Sequence, residues 1–412
     1  MAIDQDRLWR RIETLSRITD PERPWTRRSF TPRFLEGRAW LAAEFRAAGL
    51  ETEIDAAGNL IGRLAGADPA LKPILIGSHS DTVPSGGRYD GILGVLAALE
   101  VAQDLVERGE RPRHPLEVVD FLAEEPSEFG LSCIGSRALA GTLNAEHLAL
   151  TRPDGMTLRE GIAYVGGHPD ELASVKRPAD GIAAYVEVHI EQGRVLENER
   201  IPIGIVTDIA GIHRERITVT GRADHAGATP MPLRADALVG AAKLIQAAYE
   251  RALASARGNQ PLVATFGHIE VSPNAANAVP GEAVLTLEVR SGDEAATAAF
   301  GAALARDLRP ALEALRLTIA VAPISHVAPT ACAPLVRQTI ARAAASLGLA
   351  TRDLPSGAGH DGVQVARTGP VGMIFVPCLD GRSHAPEESI TPEQAGDGAR
   401  VLAETVRLLD AG

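Results

Sequence analysis

The chain has 412 residues, and 41 Lys and Arg against 53 Asp and Glu leave a formal net charge of −12. That length makes one large or two ordinary domains, and 45% hydrophobic with 23% charged residues excludes a mostly disordered chain. The acidic balance, with no basic run of the kind that forms a binding tail, argues against nucleic acid or an anionic membrane as the main partner.

In chain order, residues 5–18 and 32–48 read as amphipathic helices. The apolar run PILIG at 73–77 is a short buried strand ending just before Ser78 and His79, and the turn SGGRYDG leads into an apolar helix over about 91–108. LEVVDFLA (116–123) and AAYVEVHI (183–190) are rich in β-branched residues and strand-like. Helices between such strands imply a mostly parallel α/β sheet. From about 213 the texture changes. ITVTG is a strand, 234–256 a helix and LVATFGHIEV a strand; AVLTLEVR (283–290), a helix over 293–314 and LRLTIAV (315–321) follow. That β-α-β-β-α-β order is the ferredoxin-like pattern of a compact two-layer unit. A helix over 333–347 and the buried strand VGMIFVP (371–377) resume the first texture. The expected organisation is one α/β domain, 1–209 with 327–412, interrupted by an inserted α+β domain at 210–326.

Cys133, Cys332 and Cys378 are widely spaced and odd in number, which gives neither a disulfide framework nor a Cys-type zinc site. The opening MAIDQDRLWRRIETLSRITD lacks the apolar core of a signal peptide, and no stretch approaches 18 apolar residues. A cytoplasmic protein without a membrane span is expected.

The residues with chemistry follow predicted strands. His79 and Asp81 come after 73–77, and Asp90 closes the next loop. Glu124 and Glu125 follow 116–123, His189 lies at the end of 183–188, and His384 follows 371–377. Ligands of open α/β sheets bind beyond the carboxyl ends of the strands. Five imidazole and carboxylate ligands arriving there suit divalent metal ions, and Asp90 can bridge a pair. Such a pair activates a water and polarises a carbonyl. A further carboxylate must move the proton, so Glu124 and Glu125 divide into base and ligand, and Asp81 can orient His79.

Each residue has a plainer explanation when taken singly. Asp90 stands before a helix, where capping alone would account for it. Glu124 and Glu125 read as solvated loop carboxylates, and the three histidines as hydrogen-bonded core or surface groups. Joint placement at four strand ends is what favours chemistry. His114, His147, His168 and His326 lack that context and read as surface histidines. GLSCI (130–134) lacks the closing glycine of a nucleophile elbow, no Walker or dinucleotide motif is present, and SGGRYDG as a phosphate loop would set Asp90 against the phosphate.

Six blocks, GSHSDTVPSGGRYDG (77–91), AEEPSEFG (123–130), EVHIEQG (187–193), DHAGATPMPLRADAL (224–238), LPSGAGHDG (354–362) and SHAPEE (383–388), together resemble one family. It is the dinuclear-metal amidohydrolases that include N-carbamoyl-L-amino-acid hydrolases, allantoate amidohydrolases and β-ureidopropionases, and the resemblance spans nearly the whole chain. It implies a zinc-exopeptidase-like catalytic domain with an inserted lid that also forms a homodimer. It implies two divalent ions per subunit, zinc or manganese with cobalt or nickel as alternatives, held by His79, Asp90, Glu125, His189 and His384. Glu124 is then the general base and acid, and His225 the lid histidine for the oxyanion. Gln192, Asn277 and Arg290 match substrate positions, Arg290 taking a carboxylate, for which a guanidinium fork is suited. His213 and Arg214 on the lid strand, and Gly357 and His360 in the 356–360 block, join them. The substrate implied is a small ureide or N-acyl amino acid: an N-carbamoyl-L-amino acid first, allantoate as the alternative, and a non-catalytic ligand-binding relative as the reading of another class.

Members commonly read E-E-G-x-R-F where this chain has Pro126 and Glu128, carry arginine where His213 stands, and asparagine where Ala385 stands. These departures touch the substrate pocket's charge and leave the metal-ligand set complete.

Overall fold

The computed structural model describes residues 3–255 and 262–412. In chain order the strands are β1 (Glu51–Ile54), β2 (Leu60–Leu64), β3 (Ile74–His79), β4 (Leu116–Phe121) and β5 (Ala184–Ile190). Then come β6 (Ile203–Ile209), β7 (Gly211–Thr220), β8 (Asp224–His225), β9 (Val263–Ser272) and β10 (Ala278–Val279). The last are β11 (Glu282–Ser291), β12 (Thr318–Val327), β13 (Thr330–Ala331), β14 (Thr351–Ser356) and β15 (Val371–Val376). The chain divides into two compact units, Met1–Thr207 with Cys332–Gly412, and Asp208–Ala331. The second extends a few residues beyond the 210–326 expected.

The larger sheet has nine strands of order β1-β2-β4-β3-β5-β15-β6-β13, with β14 on β6, and all but β13 and the last residues of β6 belong to the first unit. The four central strands β4-β3-β5-β15 are parallel, while β1, β2 and β6 add on antiparallel. The sheet is thus mixed, with a parallel centre. Every residue of β3, β4, β5 and β15 is buried, which is why these strands are rich in apolar residues on both faces, with Glu117, Asp120 and Glu187 as buried exceptions. Their side chains still alternate between faces. Ile74, Ile76, Val118, Val186 and Ile374 join the larger core with the helix Ile92–Glu107 and the C-terminal helix Pro392–Ala411. Leu75, Val119, Phe121 and Tyr185 join a smaller core on the other face. The helix Pro392–Ala411 starts on a capping box between Thr391 and Gln394 with Pro392 in its first turn.

The second unit has four antiparallel strands in the order β12-β7-β11-β9, with β8 and β10 forming a two-stranded ribbon. β7 and β11 alternate buried with more open residues, the pattern of a sheet covered on one face. The helices Ala237–Ser255 and Glu294–Glu313 contribute Leu244, Ala248, Phe300 and Leu304 to that core. Residue 256, the expected end of the first of these helices, lies outside the described residues. The expected strand at 315–321 starts later, because Arg316 takes a left-handed φ of 59° and closes the preceding turn.

Candidate functional site

From β3 the chain adds β4 on one side and β5 on the other, so the carboxyl ends of β3 and β5 flank the point where strand order reverses. Open α/β sheets leave a crevice there. His79 is the last residue of β3, and His189 lies one residue before the end of β5. Glu124 and Glu125 follow β4, His384 follows β15, and Asp90 ends the loop before the helix Ile92–Glu107.

These side chains converge. The ligand atoms of His79, Asp90 and His189 all lie within 4.8 Å of one another, and so do those of Asp90, Glu125 and His384. Asp90 belongs to both groups. Its Oδ1 is 3.0 Å from His189 Nε2 and 3.5 Å from His79 Nε2, while its Oδ2 is 3.2 Å from His384 Nε2. Glu125 Oε1 reaches the same His384 nitrogen at 3.3 Å. His79 Nδ1 faces the Asp81 carbonyl at 3.0 Å, and His189 Nδ1 faces the Ile190 carbonyl at 2.8 Å. A carbonyl only accepts, so both rings carry a proton on Nδ1 and, when neutral, turn the Nε2 lone pair toward Asp90. Lone pairs set against carboxylate oxygens at hydrogen-bond range fit a cation held between them, and imidazole with carboxylate suits a divalent one.

The local backbone explains the convergence. Gly91 has φ 68°, and a Cβ there would fall 2.4 Å from the His79 ring, so only glycine lets the loop lie against it. Gly91 is also the helix N-cap, and that helix start has no side-chain capping hydrogen bond. Capping therefore does not explain Asp90. Asp81 orients His79 mainly through its backbone carbonyl. Its carboxylate sits 3.6 Å from the ring and accepts the Glu124 N–H at 3.2 Å.

Burial sets the charges. Burial pushes the Glu124 carboxyl well above its usual range, with Glu125, Asp361 and Asp81 adding to the rise and His79 opposing it. Burial would raise Asp90 too, but hydrogen bonds from His189, His384 and His79 outweigh it and hold Asp90 well down. The half-exposed His384 is pushed up to about 10 by its bonds to Asp90 and Glu125. His360 goes well below its ordinary value through burial and the nearby His189 and His79, which keeps it neutral.

The remaining candidates fall in three places. Gln192 donates from Nε2 to Asp90 Oδ2 at 2.8 Å and to Ser383 Oγ at 3.0 Å, while its buried Oε1 has no partner among the described residues. His360 is buried, with Nε2 2.8 Å from Ser356 Oγ and its ring edge-on to His189; Gly357 is exposed in the same loop. The others lie in the second unit, in two groups. His225 and Asn277 adjoin in the β8–β10 ribbon, where the Ala226 N–H donates to the Asn277 carbonyl at 2.9 Å. His225 Nδ1 accepts the N–H groups of Gly227 and Ala228 at 3.0 and 3.1 Å, which leaves its proton on Nε2. Arg214 and Arg290 share Glu288, at 2.6 and 2.8 Å. His213 is buried beside them, 3.4 Å from Glu215 and edge-on to His326.

Two residues not singled out in the sequence also meet Asp90. Ser383 donates toward its Oδ2 at 2.9 Å, and Glu388 accepts its backbone N–H at 3.1 Å. Both lie in the quoted SHAPEE block, so the signal was its spacing from His384. Of the departures, Pro126 and Glu128 are exposed, and the Pro126 carbonyl accepts from Arg28 at 2.8 Å.

Comparison with known proteins gives concordant matches. The model of the peptidase family M20/M25/M40 matches residues 75–408. An N-carbamoyl-L-amino acid amidohydrolase of Geobacillus stearothermophilus is 41% identical, with all of both chains covered. A ureidoglycolate hydrolase of Arabidopsis thaliana is 35% identical over 99% of this chain and 87% of its own. A crystal structure of an amidase of the hydantoinase/carbamoylase family from Burkholderia multivorans superposes with a TM-score of 0.91 at 36% identity, covering 100% of this chain and 98% of that one.

Proposed function

The chain belongs to the metal-dependent peptidase family M20/M25/M40, and from that premise we propose that it hydrolyses the ureido group of an N-carbamoyl-L-amino acid to the amino acid, CO₂ and ammonia. One observation carries the reading most: Asp90 divides its two oxygens between the His79–His189 group and the Glu125–His384 group, the arrangement a pair of bridged divalent ions requires. Zinc or manganese is the proposed metal, since these ligands accept either. When bound, the ions supply a water acidic enough to ionise near neutrality and Lewis-acid polarisation of the carbonyl.

The side chains supply the rest. Nδ1–H bonds to Asp81 and Ile190 hold His79 and His189 with Nε2 inward. Glu124 adjoins the ligand Glu125 without belonging to either ligand group; its carboxylate takes the water's proton and returns it to the leaving nitrogen. Gln192 Oε1, buried and without a partner among the described residues, accepts from the ureido N–H. In the second unit, His225 Nε2–H is the proposed donor to the oxyanion and the Arg290 guanidinium the receptor for the substrate carboxylate. That role makes the unit a lid, and its β9 edge, unpaired among the described residues, together with the exposed Leu238, Tyr249 and Leu253 on the helix Ala237–Ser255, supports a homodimer through it. Three free cysteines support the cytoplasm. Among the described residues no helix is long and apolar enough to cross a membrane.

The test is ammonia release from N-carbamoyl-L-amino acids, N-carbamoyl-β-alanine, ureidoglycolate and allantoate by chelator-stripped protein, before and after adding zinc or manganese. Metal-restored turnover of carbamoyl amino acids above the other ureides is the expected result. Preference for ureidoglycolate or allantoate moves the substrate toward the Arabidopsis relative, and no turnover of any ureide by metal-loaded protein overturns the proposal.

A further inference from the structure

We infer that Glu388 is the positioning residue of the two-ion centre, a carboxylate that clamps the loop bearing Asp90 onto the segment bearing His384. The inference rests on the two-ion reading above. Glu388 is fully buried. Its Oε1 accepts three successive backbone N–H groups, from Arg88 at 3.0 Å, Tyr89 at 2.7 Å and Asp90 at 3.1 Å. Its Oε2 lies 3.1 Å from Ser383 Oγ, and that hydroxyl lies 2.9 Å from Asp90 Oδ2. Converging backbone N–H groups of this kind form an anion cradle. The SGGRYDG turn therefore does have the backbone of a phosphate loop, and the chain's own carboxylate occupies it. The fit is close: at Gly87, φ 144°, an added Cβ would stand 2.4 Å from the Glu388 carboxyl.

The consequence concerns geometry. Asp90 must present one oxygen to each ion, so the backbone on which it stands has to be fixed, and a flexible Gly-Gly turn does not fix itself. Glu388 supplies that from four residues beyond His384. One side chain thus sets the distance between the shared ligand and a histidine of the second ion. Second-sphere partners of metal ligands typically govern affinity or activity by 10–100-fold.

The experiment compares wild type, E388Q and E388A by zinc titration of the stripped full-length protein against a chromophoric chelator, with steady-state kinetics and melting of the metal-free forms. E388Q keeps shape and acceptor oxygen but loses the charge that strengthens such bonds. It is expected to weaken one of the two ions about 10-fold and to lower kcat with little change in KM. Its metal-free Tm should be at or above that of wild type, since a buried charge is removed; a purely structural role would lower it. E388A should weaken the same ion more. Wild type and E388Q binding two ions with equal affinity and equal kcat overturns the clamp. Wild type binding fewer than two ions overturns the two-ion reading instead.

Discussion

Replacing Glu124 by Gln tests the centre of the proposed mechanism, because the structure predicts opposite effects on turnover and stability. The side chain keeps its volume, and Glu124 belongs to neither ligand group, so both ions should stay. What is lost is the proton acceptor. General acid–base catalysis contributes about 10²–10⁴-fold, or about 3–5 kcal/mol of barrier, and kcat should fall by that much. The stability term has the other sign. The carboxylate is buried, 3.7 Å from His79 Nε2 and 3.9 Å from the Cys133 thiol, and Glu125, Asp361 and Asp81 all raise its pKa. Where pH is high enough to ionise Glu124, a neutral amide relieves that repulsion, so the metal-free Tm should rise there, by about 2 °C for each ~1 kcal/mol relieved in a unit of this size. The assay is ammonia release at saturating substrate, with metal content by elemental analysis and scanning calorimetry of the stripped form. A kcat within tenfold of wild type, with both ions present, would refute the reasoning.

Three further outcomes can be measured. The metal-free protein should lose stability as pH rises, between about 5 and 7 through Glu388, whose pKa is raised to about 7, and between about 7 and 10 through His384, raised to about 10, because the native state keeps protons that the unfolded chain releases; the raised Glu124 and Asp361 carboxyls act in the same direction. Zinc-saturated protein should show the reverse trend over the lower part of that window, since its ligands must be deprotonated; parallel Tm profiles with and without zinc would contradict this. Gly91→Ala should cost about 2–4 kcal/mol through the left-handed φ and the 2.4 Å approach to His79, and should weaken zinc binding; an unchanged chelator titration would refute that. Arg290→Ala should raise KM for carboxylate-bearing ureides at least tenfold with a smaller change in kcat, and equal KM values would remove Arg290 from the pocket.

The parts of the site legible in the sequence are those that end buried parallel strands. β3 and β5 are largely apolar on both faces, so the histidines at their carboxyl ends, His79 and His189, stand out against the run. Asp90 was legible as a carboxylate able to bridge two ions, while its plainer explanation as a helix cap is set aside only by the geometry, which puts Gly91 at the N-cap. Contacts made through the backbone were not legible. The Asp81 carbonyl orients His79, and the N–H groups of residues 88–90 meet Glu388; neither depends on a side-chain pattern, and the second pair lies some 300 positions apart. β1 is short and open to solvent, so hydrophobic periodicity hardly marks it. The helix Pro392–Ala411 carried a readable signal in Thr391, Pro392 and Gln394, which a reading by apolar runs passes over.

β15 pairs with β5 in parallel, Val371 opposite Tyr185, and the entire second unit is encoded between them. During synthesis the first unit therefore emerges with the β5 edge uncapped and the apolar faces of its sheet missing the helix Pro392–Ala411, while the second unit, which has a hydrophobic core of its own, is made. Only after residue 384 clears the ribosome is His384 available, so the pocket formed with Asp90 and Glu125 closes last. A nascent chain of this topology spends its longest interval with an open parallel edge, the state in which chaperones engage and aggregation competes. Truncation before residue 384 removes both the covering helix Pro392–Ala411 and His384, so such products lack a finished core and one of the proposed metal ligands.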